Sequence, residues 1–502
     1  MKSKSGLTEY VENMFDIKKI NEYREGNRFE VKAAKGGLPD SLWATYSSFA
    51  NSYGGVILLG VEENDDKTLN IIGLKDPDGY IKIFWDAVNN RQKTNVNILS
   101  DKNVYKTKID GKSVVVIEVP RALRQDRPVY IGGNINAGTY RRNGEGDYRC
   151  TESEIKNMIR DSGDVTQDRI ALDNIPMDAL DQETITRYRT LFSNLKPGHV
   201  WEKIPTNDFL LKINAIKRSD DDGKLHPTAA GLLIFGKDTE IVNEFPNYFL
   251  DYREGFGEDV KERWRDRVTS GTGDWSGNLF DFYYRIKDRL TADLKVPFVL
   301  NNEQERIDDT RMHKALRESL ANALIHSDYY ERRGVVIDKK RNEIVISNPG
   351  TLRIPVDEAL GGGVSDPRNS ALFLMFSLIG IGERAGSGLM NIKATWKEEK
   401  LPEPTLKEMF NPDRTTLILP LRKSNVSVSI GTDINVYQKK VLEQLRGGPM
   451  SLNELMEGVQ YPFSRQEFMK SILSPLKETG RISLTLPDKP RSKYQKYSAT
   501  TE

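Results

Sequence analysis

The chain has one cysteine, Cys150, in 502 residues. A single thiol excludes an intramolecular disulfide and a cysteine-rich zinc module, and with only 4 histidines besides a structural zinc site has no support. No apolar run is long enough to span a bilayer and no signal peptide is visible. The expectation is a soluble, cytoplasmic protein without membrane association. Excess charge of either sign is missing too: Lys plus Arg number 74 and Asp plus Glu 73, for a formal net charge of +1. No global field draws the chain to nucleic acid, so any basic surface must be local. Repeats and low-complexity tracts are absent, and a chain of this length is expected to hold two to four domains.

What is present is most concentrated in His313–Gly350. Ala315, Leu316, Leu320, Ala323 and Leu324 recur at three- and four-residue steps, which predicts a helix. Glu318, Asn322 and His326 are spaced four apart and share one face of it. Gly334–Asp338 and Glu343–Ser347, around the charged turn Lys339–Asn342, predict a hairpin whose second strand ends in Asn348-Pro349-Gly350. A carboxylate and an amide one turn apart suit a magnesium–triphosphate site. The Asn322 oxygen is a hard ligand for the metal, and Glu318 can orient or deprotonate an attacking water. A surface helix with a solvated polar edge carries the same spacing. Downstream, Gly361-Gly362-Gly363 and then Gly382-Glu383-Arg384-Ala385-Gly386-Ser387-Gly388 precede another helical run. Glycine-rich turns feeding a helix N-terminus offer backbone N–H groups to phosphate. Together these parts point to a nucleotide site.

The segment Glu318–His326 (ESLANALIH), the strand ending SNPG, the box Asp366-Pro367-Arg368-Asn369 and the loop GERAGSGL resemble the divergent GHKL-type ATPase domain of bacterial RecG-related transcriptional regulators. The resemblance covers roughly Thr206–Leu421. It implies an α/β sandwich that binds ATP with Mg2+ through Asn322, His326, Asn348, Gly350, Gly382, Arg384, Gly386 and Gly388, with Glu318 catalytic. Better-known GHKL members carry an acidic adenine-binding residue where this chain has Ser347-Asn348-Pro349-Gly350. An asparagine oxygen can still accept from the adenine amino group.

Toward the N-terminus, an amphipathic helix is expected at Thr8–Ile20. Phe29 and Val31 alternate with Glu30 and Lys32, which reads as a strand with its polar residues on one face. Leu42–Asn51 reads as a helix ending at Gly54-Gly55, and Val56–Val61 as a buried strand that delivers Glu62 and Glu63. Acids and a lysine at strand ends can converge on a divalent metal, which activates water and stabilises phosphorane charge. Exposed Glu–Lys pairing on an edge strand is the plainer alternative. The order E-x4-E-x-K, then FANSYGG, then a strand ending GVEE resembles the Schlafen AlbA-like domain over about Ile20–Ile159, including Ala137–Arg142. The resemblance implies a catalytic trio of Glu25, Glu30 and either Glu62 or Glu63, assisted by Lys32. Mg2+ or Mn2+ would sit on Glu25, Glu30 and Glu63. Many members of that family engage nucleic acid without cutting it. Arg141 and Arg142, among arginines interleaved with Tyr130, Tyr140 and Tyr148, are candidates for phosphate contact and base stacking.

Glu152–Asp161 reads as a helix, Asp164–Pro176 as a linker and Asp181–Leu195 as a helix. Lys261–Trp275 reads as a mobile surface segment, and a second linker is expected near Lys423–Thr432. Three helices, Val436–Leu445, Ser451–Val459 and Ser464–Thr479, followed by strands Arg481–Leu486 and Lys493–Ala499, suggest a winged helix. Its hairpin would offer Lys489, Arg491 and Lys493 to a nucleic-acid backbone. The expected fold class is α+β multidomain: a Schlafen AlbA-like domain at 1–163, a helical linker at 164–205, a middle segment at 206–300, a GHKL-type ATP-binding sandwich at 301–422 and a C-terminal winged helix at 433–502. The function expected is ATP-gated nucleic-acid processing, as a metal-dependent, RNA-directed nuclease of antiphage defence. The alternative is a non-catalytic, ATP-responsive DNA-binding transcriptional regulator. RNA or DNA would be the partner, and GHKL-type domains commonly pair, so a homo-oligomer (dimer or larger) is expected.

Overall fold

The computed structural model describes residues 25–255, 264–292, 294, 309–382, 388–410, 412–421, 436–459, 465–478, 480–486 and 495–500. They fall into two compact units, within Met1–Lys423 and Ser424–Glu502. The expected helix Thr8–Ile20 lies outside the described residues, as do Arg384, Gly386, Lys489, Arg491 and Lys493. Among the described residues no helix is long and apolar enough to cross a membrane.

The first unit begins with β1 (Phe29–Lys32), α1 (Ser41–Asn51), β2 (Gly55–Leu59), β3 (Val61–Glu63), β4 (Leu69–Ile71), α2 (Pro77–Val88), β5 (Val104–Ile109) and β6 (Lys112–Val119). Next come α3 (Ile135–Gly138), the hairpin β7 (Tyr140–Asn143) with β8 (Gly146–Arg149), and α4 (Glu152–Ser162). Four strands form a sheet in the order β1-β2-β6-β5, with β1 and β2 parallel and the other pairs antiparallel. One face packs Ile57, Leu59, Val115 and Ile117 on Leu42, Tyr46 and Phe49 of α1 and Phe84 of α2. The other packs Phe29, Val31, Val56, Leu58, Val114 and Val116. Burial on both faces explains the unbroken apolar run of β2. The expected strand Val56–Val61 is interrupted at Gly60, whose φ of +88° suits glycine. Glu62 and Glu63 therefore leave on a separate ribbon, β3 with β4. The polar stretch of α1 also has a physical reason: the Asn51 side chain brackets the backbone of Val129, donating to its C=O at 2.8 Å and accepting from its N–H at 2.8 Å.

The unit continues through α5 (Gln182–Leu195), α6 (Thr206–Lys212), β9 (Ile216–Arg218), β10 (Leu225–Pro227), α7 (Ala229–Phe235), α8 (Asp238–Glu244), β11 (Leu250–Gly255), β12 (Asp266–Thr269) and α9 (Leu279–Thr291). It is completed by α10 (Arg311–His326), β13 (Val335–Lys340), β14 (Glu343–Pro349), α11 (Val356–Gly361), α12 (Ser370–Leu378), α13 (Gly388–Glu398), β15 (Thr405–Met409) and β16 (Arg414–Pro420). Six strands run β12-β11-β13-β14-β16-β15; β11–β13 is parallel and the rest antiparallel. Phe280 and Phe282 of α9, Leu316, Leu320 and Leu324 of α10, Phe376 of α12 and Trp396 of α13 share one core with Ile344 and Ile346 of β14. The stretch expected as a linker, Asp164–Pro176, is built into this core. Asp168 is 2% exposed, and its Oδ2 accepts from the Ala371 and Leu372 amides at 2.8 and 3.0 Å, the orphan donors of the first turn of α12.

The second unit holds α14 (Val436–Leu445), β17 (Met450–Ser451), α15 (Leu452–Gly458), α16 (Arg465–Phe468), α17 (Ser474–Glu478), β18 (Ile482–Leu484) and β19 (Lys496–Ala499). A single π-turn, Met469–Leu473, joins α16 to α17, so the helix expected at Ser464–Thr479 runs in three pieces. A small antiparallel sheet, β17-β19-β18, closes over Val441, Leu455, Phe468, Ile472 and Ile482. The whole is a mixed α/β, multidomain chain with several sheets.

Candidate functional site

Helix α10 aims its polar face into a pocket between itself, β14, β16, α11 and the start of α13. Glu318, Asn322 and His326, one turn apart, all line it. The Asn322 amide donates to Glu318 Oε1 at 3.2 Å, which leaves its carbonyl oxygen as an acceptor. From the sheet come Asn348 and Thr415, register partners on β14 and β16. The Asn348 Nδ2 donates to Pro349 O at 3.2 Å, leaving its amide oxygen as an acceptor. Ile346, Leu352, Phe373, Leu406 and Leu417 supply apolar lining.

Gly388 begins α13 and is part of the wall. A Cβ there would stand 2.6 Å from Glu318 Oε1 and 3.0 Å from Asn322 Nδ2, so the backbone at the helix N-terminus lies against the acidic–amide pair. Hard-oxygen donors, a helix start stripped of its side chain and an apolar slot fit a magnesium-bound nucleotide. Bound there, Mg·ATP would supply a polarised terminal phosphate; Asn322 would hold the metal, and Glu318 would orient water. His326 is held neutral, its pKa pushed down to about 4 by burial and then by Arg368 and Arg353.

Two predicted ligands, Gly350 and Gly382, are not among the residues that line the pocket. Gly350, at φ +88°, lies under the Arg368–Asp328 pair, with a Cβ position 3.0 Å from Arg368 Cζ. Gly382 turns at φ +79° beside Phe373. The box Asp366–Asn369 is a clamp. Asp366, on the pocket wall, accepts from Arg124 Nε at 2.6 Å and lies 3.5 Å from Arg353. Arg368 binds Asp161 at 2.8 and 2.9 Å and the Thr351 carbonyl at 2.6 Å. Asn369 donates to the Ile325 and Ser327 carbonyls at the end of α10. Arg121 adds an ion pair to Glu408 at 2.6 Å and a bond to Leu352 O at 2.9 Å. The β1–α4 region is thus bolted onto the back of the pocket wall. Thr415, Arg353 and the clamp role of Asp366 were missed from sequence; the register between β14 and β16 is the signal that places Thr415 opposite Asn348.

The acidic residues of the first region do gather, and Glu63 rather than Glu62 joins them. Burial, opposed by a 3.0 Å bond from the Val31 amide, raises the pKa of Glu25, and Glu30 and Glu63 raise it further. Glu62 faces away, paired with Lys35 and Asn70 at 2.9 Å each. These bonds lower its pKa. Glu30 is only 6% exposed and already spoken for, by Lys32 and by Arg142, each at 2.5 Å. Glu63 pairs with Lys67 at 3.1 Å. Among the described residues no group of three or more His, Cys, Asp or Glu is arranged to hold a metal ion. Lys32 and Arg142 hold Glu30 and Lys67 holds Glu63, so in this arrangement a metal on Glu25, Glu30 and Glu63 would have to displace cations of the protein.

Arg141 and Arg142 are not on the surface. Arg142 bridges Glu30 and Asp147 (2.9 Å) and donates to Gly26 O at 2.9 Å. Arg141 makes a bidentate pair with Asp413 at 2.6 and 3.0 Å. Both guanidinium groups are committed inside the fold, which corrects their reading as phosphate contacts.

Residues 25–151 match the family described as "Schlafen, AlbA_2", and 333–419 match "Putative ATP-dependent DNA helicase recG C-terminal". Residues 156–251 match a domain of unknown function, and 438–500 the C-terminal domain of Fic-like proteins, "Filamentation induced by cAMP". Among solved structures, the DIP2311 protein from Corynebacterium diphtheriae is 15% identical over 90% of this chain and 87% of its own, with a TM-score of 0.39. The N-terminal domain of a RecG-related protein from Nitrosomonas europaea is 26% identical over 27% of this chain and 90% of its own, with a TM-score of 0.21. A Fic family protein from Desulfovibrio desulfuricans G20 is 17% identical over 26% of this chain and 29% of its own, with a TM-score of 0.13. No curated protein matches.

Proposed function

We propose that this is an ATP-responsive nucleic-acid-binding protein, in which nucleotide in the α10–β14 pocket sets the state of the AlbA-like region. One observation carries the reading: Asp366 lines the pocket and grips Arg124 of that region at 2.6 Å. A ligand that moves the pocket wall moves the clamp, and coupling requires only such differential contact in two states. The recG-type match over 333–419 and the Schlafen AlbA_2 match over 25–151 support the ATP and nucleic-acid halves. The GHKL assignment of the pocket domain, the divisions at 163, 205, 300 and 422, and a winged-helix fold for 433–502 belong to the same proposal. So do cytoplasmic residence and pairing into a homodimer or larger assembly, which light scattering with and without nucleotide tests.

Calorimetry with Mg·ATP tests the pocket. Asn322→Ala removes a hard oxygen ligand and is expected to abolish metal-dependent binding; equal affinity of both proteins overturns the assignment. A second reading, RNA cleavage in antiphage defence, is favoured by the gathering of Glu25, Glu30 and Glu63, where Glu63 Oε1 is buried with no hydrogen-bond partner among the described residues. It requires Arg142 to let go of Glu30. Cleavage of RNA by wild type with Mg2+ or Mn2+, lost in Glu25→Gln, selects that reading; intact RNA under every metal selects binding without cutting.

A further inference from the structure

The ion pairs that fasten the AlbA-like region to the pocket domain leave one arginine out. Arg121 holds Glu408, Arg124 holds Asp366 and Arg141 holds Asp413, each at 2.6 Å, and Arg368 holds Asp161 at 2.8 Å. Arg127 follows the short helical turn Arg124–Asp126 and is only 6% exposed. Its Nε is closed off from solvent without a hydrogen-bond partner. The guanidinium as a whole makes no hydrogen bond and no ion pair among the described residues.

The charged groups acting on it most strongly are Arg121 and Arg141, which repel it, and Asp161 and Glu408, which attract it. Neither carboxylate is spare. Asp161 gives both oxygens to Arg368, at 2.8 and 2.9 Å. Glu408 gives one oxygen to Arg121 at 2.6 Å and the other to the Leu352 amide at 2.7 Å. Burial, and after it Arg121, pushes the Arg127 pKa down to about 9, so the group is still cationic at pH 7. Burial alone would lower Arg141 and Arg368 too, yet Asp413 and Asp161 more than offset it and hold both above the usual value. A lone buried charge is unfavourable, and proteins normally pair it. Among the described residues the chain supplies Arg127 with no such partner.

We propose that Arg127 is the base of an anion site at this seam, and that its ligand is a small oxyanion of the phosphate or sulfate class. Guanidinium N–H groups come in parallel pairs that match two oxygens of one such anion, which a halide cannot offer. At 6% exposure the residue is open to an ion of a few atoms, not to a nucleoside or a strand. Arg127 is not among the residues that line the nucleotide pocket, and the site stands whether or not ATP binds there. Bound, the anion balances the odd charge beside Arg121 and Arg141 and stiffens the joint that the clamp forms.

The test is thermal unfolding of the full chain in phosphate- and sulfate-free buffer with EDTA, titrated with inorganic phosphate, sulfate or chloride at constant ionic strength. Wild type is expected to show a saturable rise of roughly 2–4 °C with phosphate or sulfate and none with chloride. Asn322→Ala should show the same rise, which separates the seam from phosphate in the nucleotide pocket. Arg127→Met keeps the bulk and removes the charge. Without oxyanion it should unfold no lower than wild type, since a lone buried charge has gone, and it should gain nothing saturable from phosphate. Calorimetry of inorganic phosphate into wild type, expected to read one site per chain, decides the matter if Arg127→Met does not fold. An equal rise in wild type and Arg127→Met is what general exclusion of the salt gives, and it overturns the site. So does a rise with chloride as large as with phosphate, loss of the rise in Asn322→Ala, or calorimetry without saturable binding.

Discussion

Gly388→Ala separates the pocket from the fold. Gly388 is the first residue of α13 and has no positive φ among the strained glycines, so alanine is conformationally acceptable there. In helices alanine is favoured over glycine by up to about 1 kcal/mol, less at an end. The added methyl meets, outside its own helix, side-chain atoms as its nearest described neighbours. It would stand 2.6 Å from Glu318 Oε1 and 3.0 Å from Asn322 Nδ2, both the tips of flexible side chains. Ordinary contact needs about 3.5 Å, so the carboxylate must retreat by roughly an ångström, twice the tolerance of a preorganised site. The 3.2 Å Asn322–Glu318 bond goes with it. Loss of one charge-assisted contact to ligand costs about 1.5–3 kcal/mol, or roughly 10- to 150-fold in Mg·ATP affinity. Calorimetry beside thermal unfolding reads both effects: stability equal to wild type or slightly higher, and affinity reduced. Unchanged affinity refutes the placement of the nucleotide against Gly388. An equal fall in stability refutes the claim that the clash is confined to the pocket.

Arg124→Ala removes the Asp366 pair and three bonds to the carbonyls of Asp161, Ser162 and Gly163 at the end of α4. Hydrogen exchange should accelerate in α4 while Mg·ATP affinity stays within about threefold; unchanged exchange contradicts the clamp. Glu30→Gln leaves the buried Arg142 with Asp147 as its remaining carboxylate. It should lower stability by about 2–4 kcal/mol in denaturant titration, since a buried charge has lost a partner; stability equal to wild type contradicts that account. His326 takes up its proton near pH 6.5 when unfolded but near 4 in the fold. Its contribution is complete above 6.5 and drains as pH falls toward 4. The loss amounts to about 2 kcal/mol by pH 5, and His326→Gln should remove that part of the pH dependence; an identical profile refutes the burial of a neutral ring.

Local pattern made some of this legible. The α10 face and the β13–β14 hairpin follow from periodicity, because each is decided by burial of residues close in sequence. Gly60, by contrast, looked like part of a strand, since its positive φ leaves no trace in hydropathy. Arg141 and Arg142 looked like surface cations because their partners, Asp413 and Glu30, stand 272 and 112 residues away. The 164–176 stretch looked like a linker because its one decisive group, Asp168, caps a helix some two hundred residues downstream. The choice between Glu62 and Glu63 turned on alternation along β3, which only the break at Gly60 sets in register.

The central claim is that nucleotide in the pocket governs nucleic-acid engagement by the AlbA-like region. The affinity of the full chain for single-stranded RNA and DNA, measured by anisotropy at fixed salt with and without saturating Mg·ATP, tests it directly. A coupling of about 1–3 kcal/mol is the usual scale, so a change of roughly 5- to 150-fold is expected in wild type and none in Asn322→Ala or Arg124→Ala. The same affinity with and without nucleotide in wild type, in a protein shown to bind both ligands, contradicts the account.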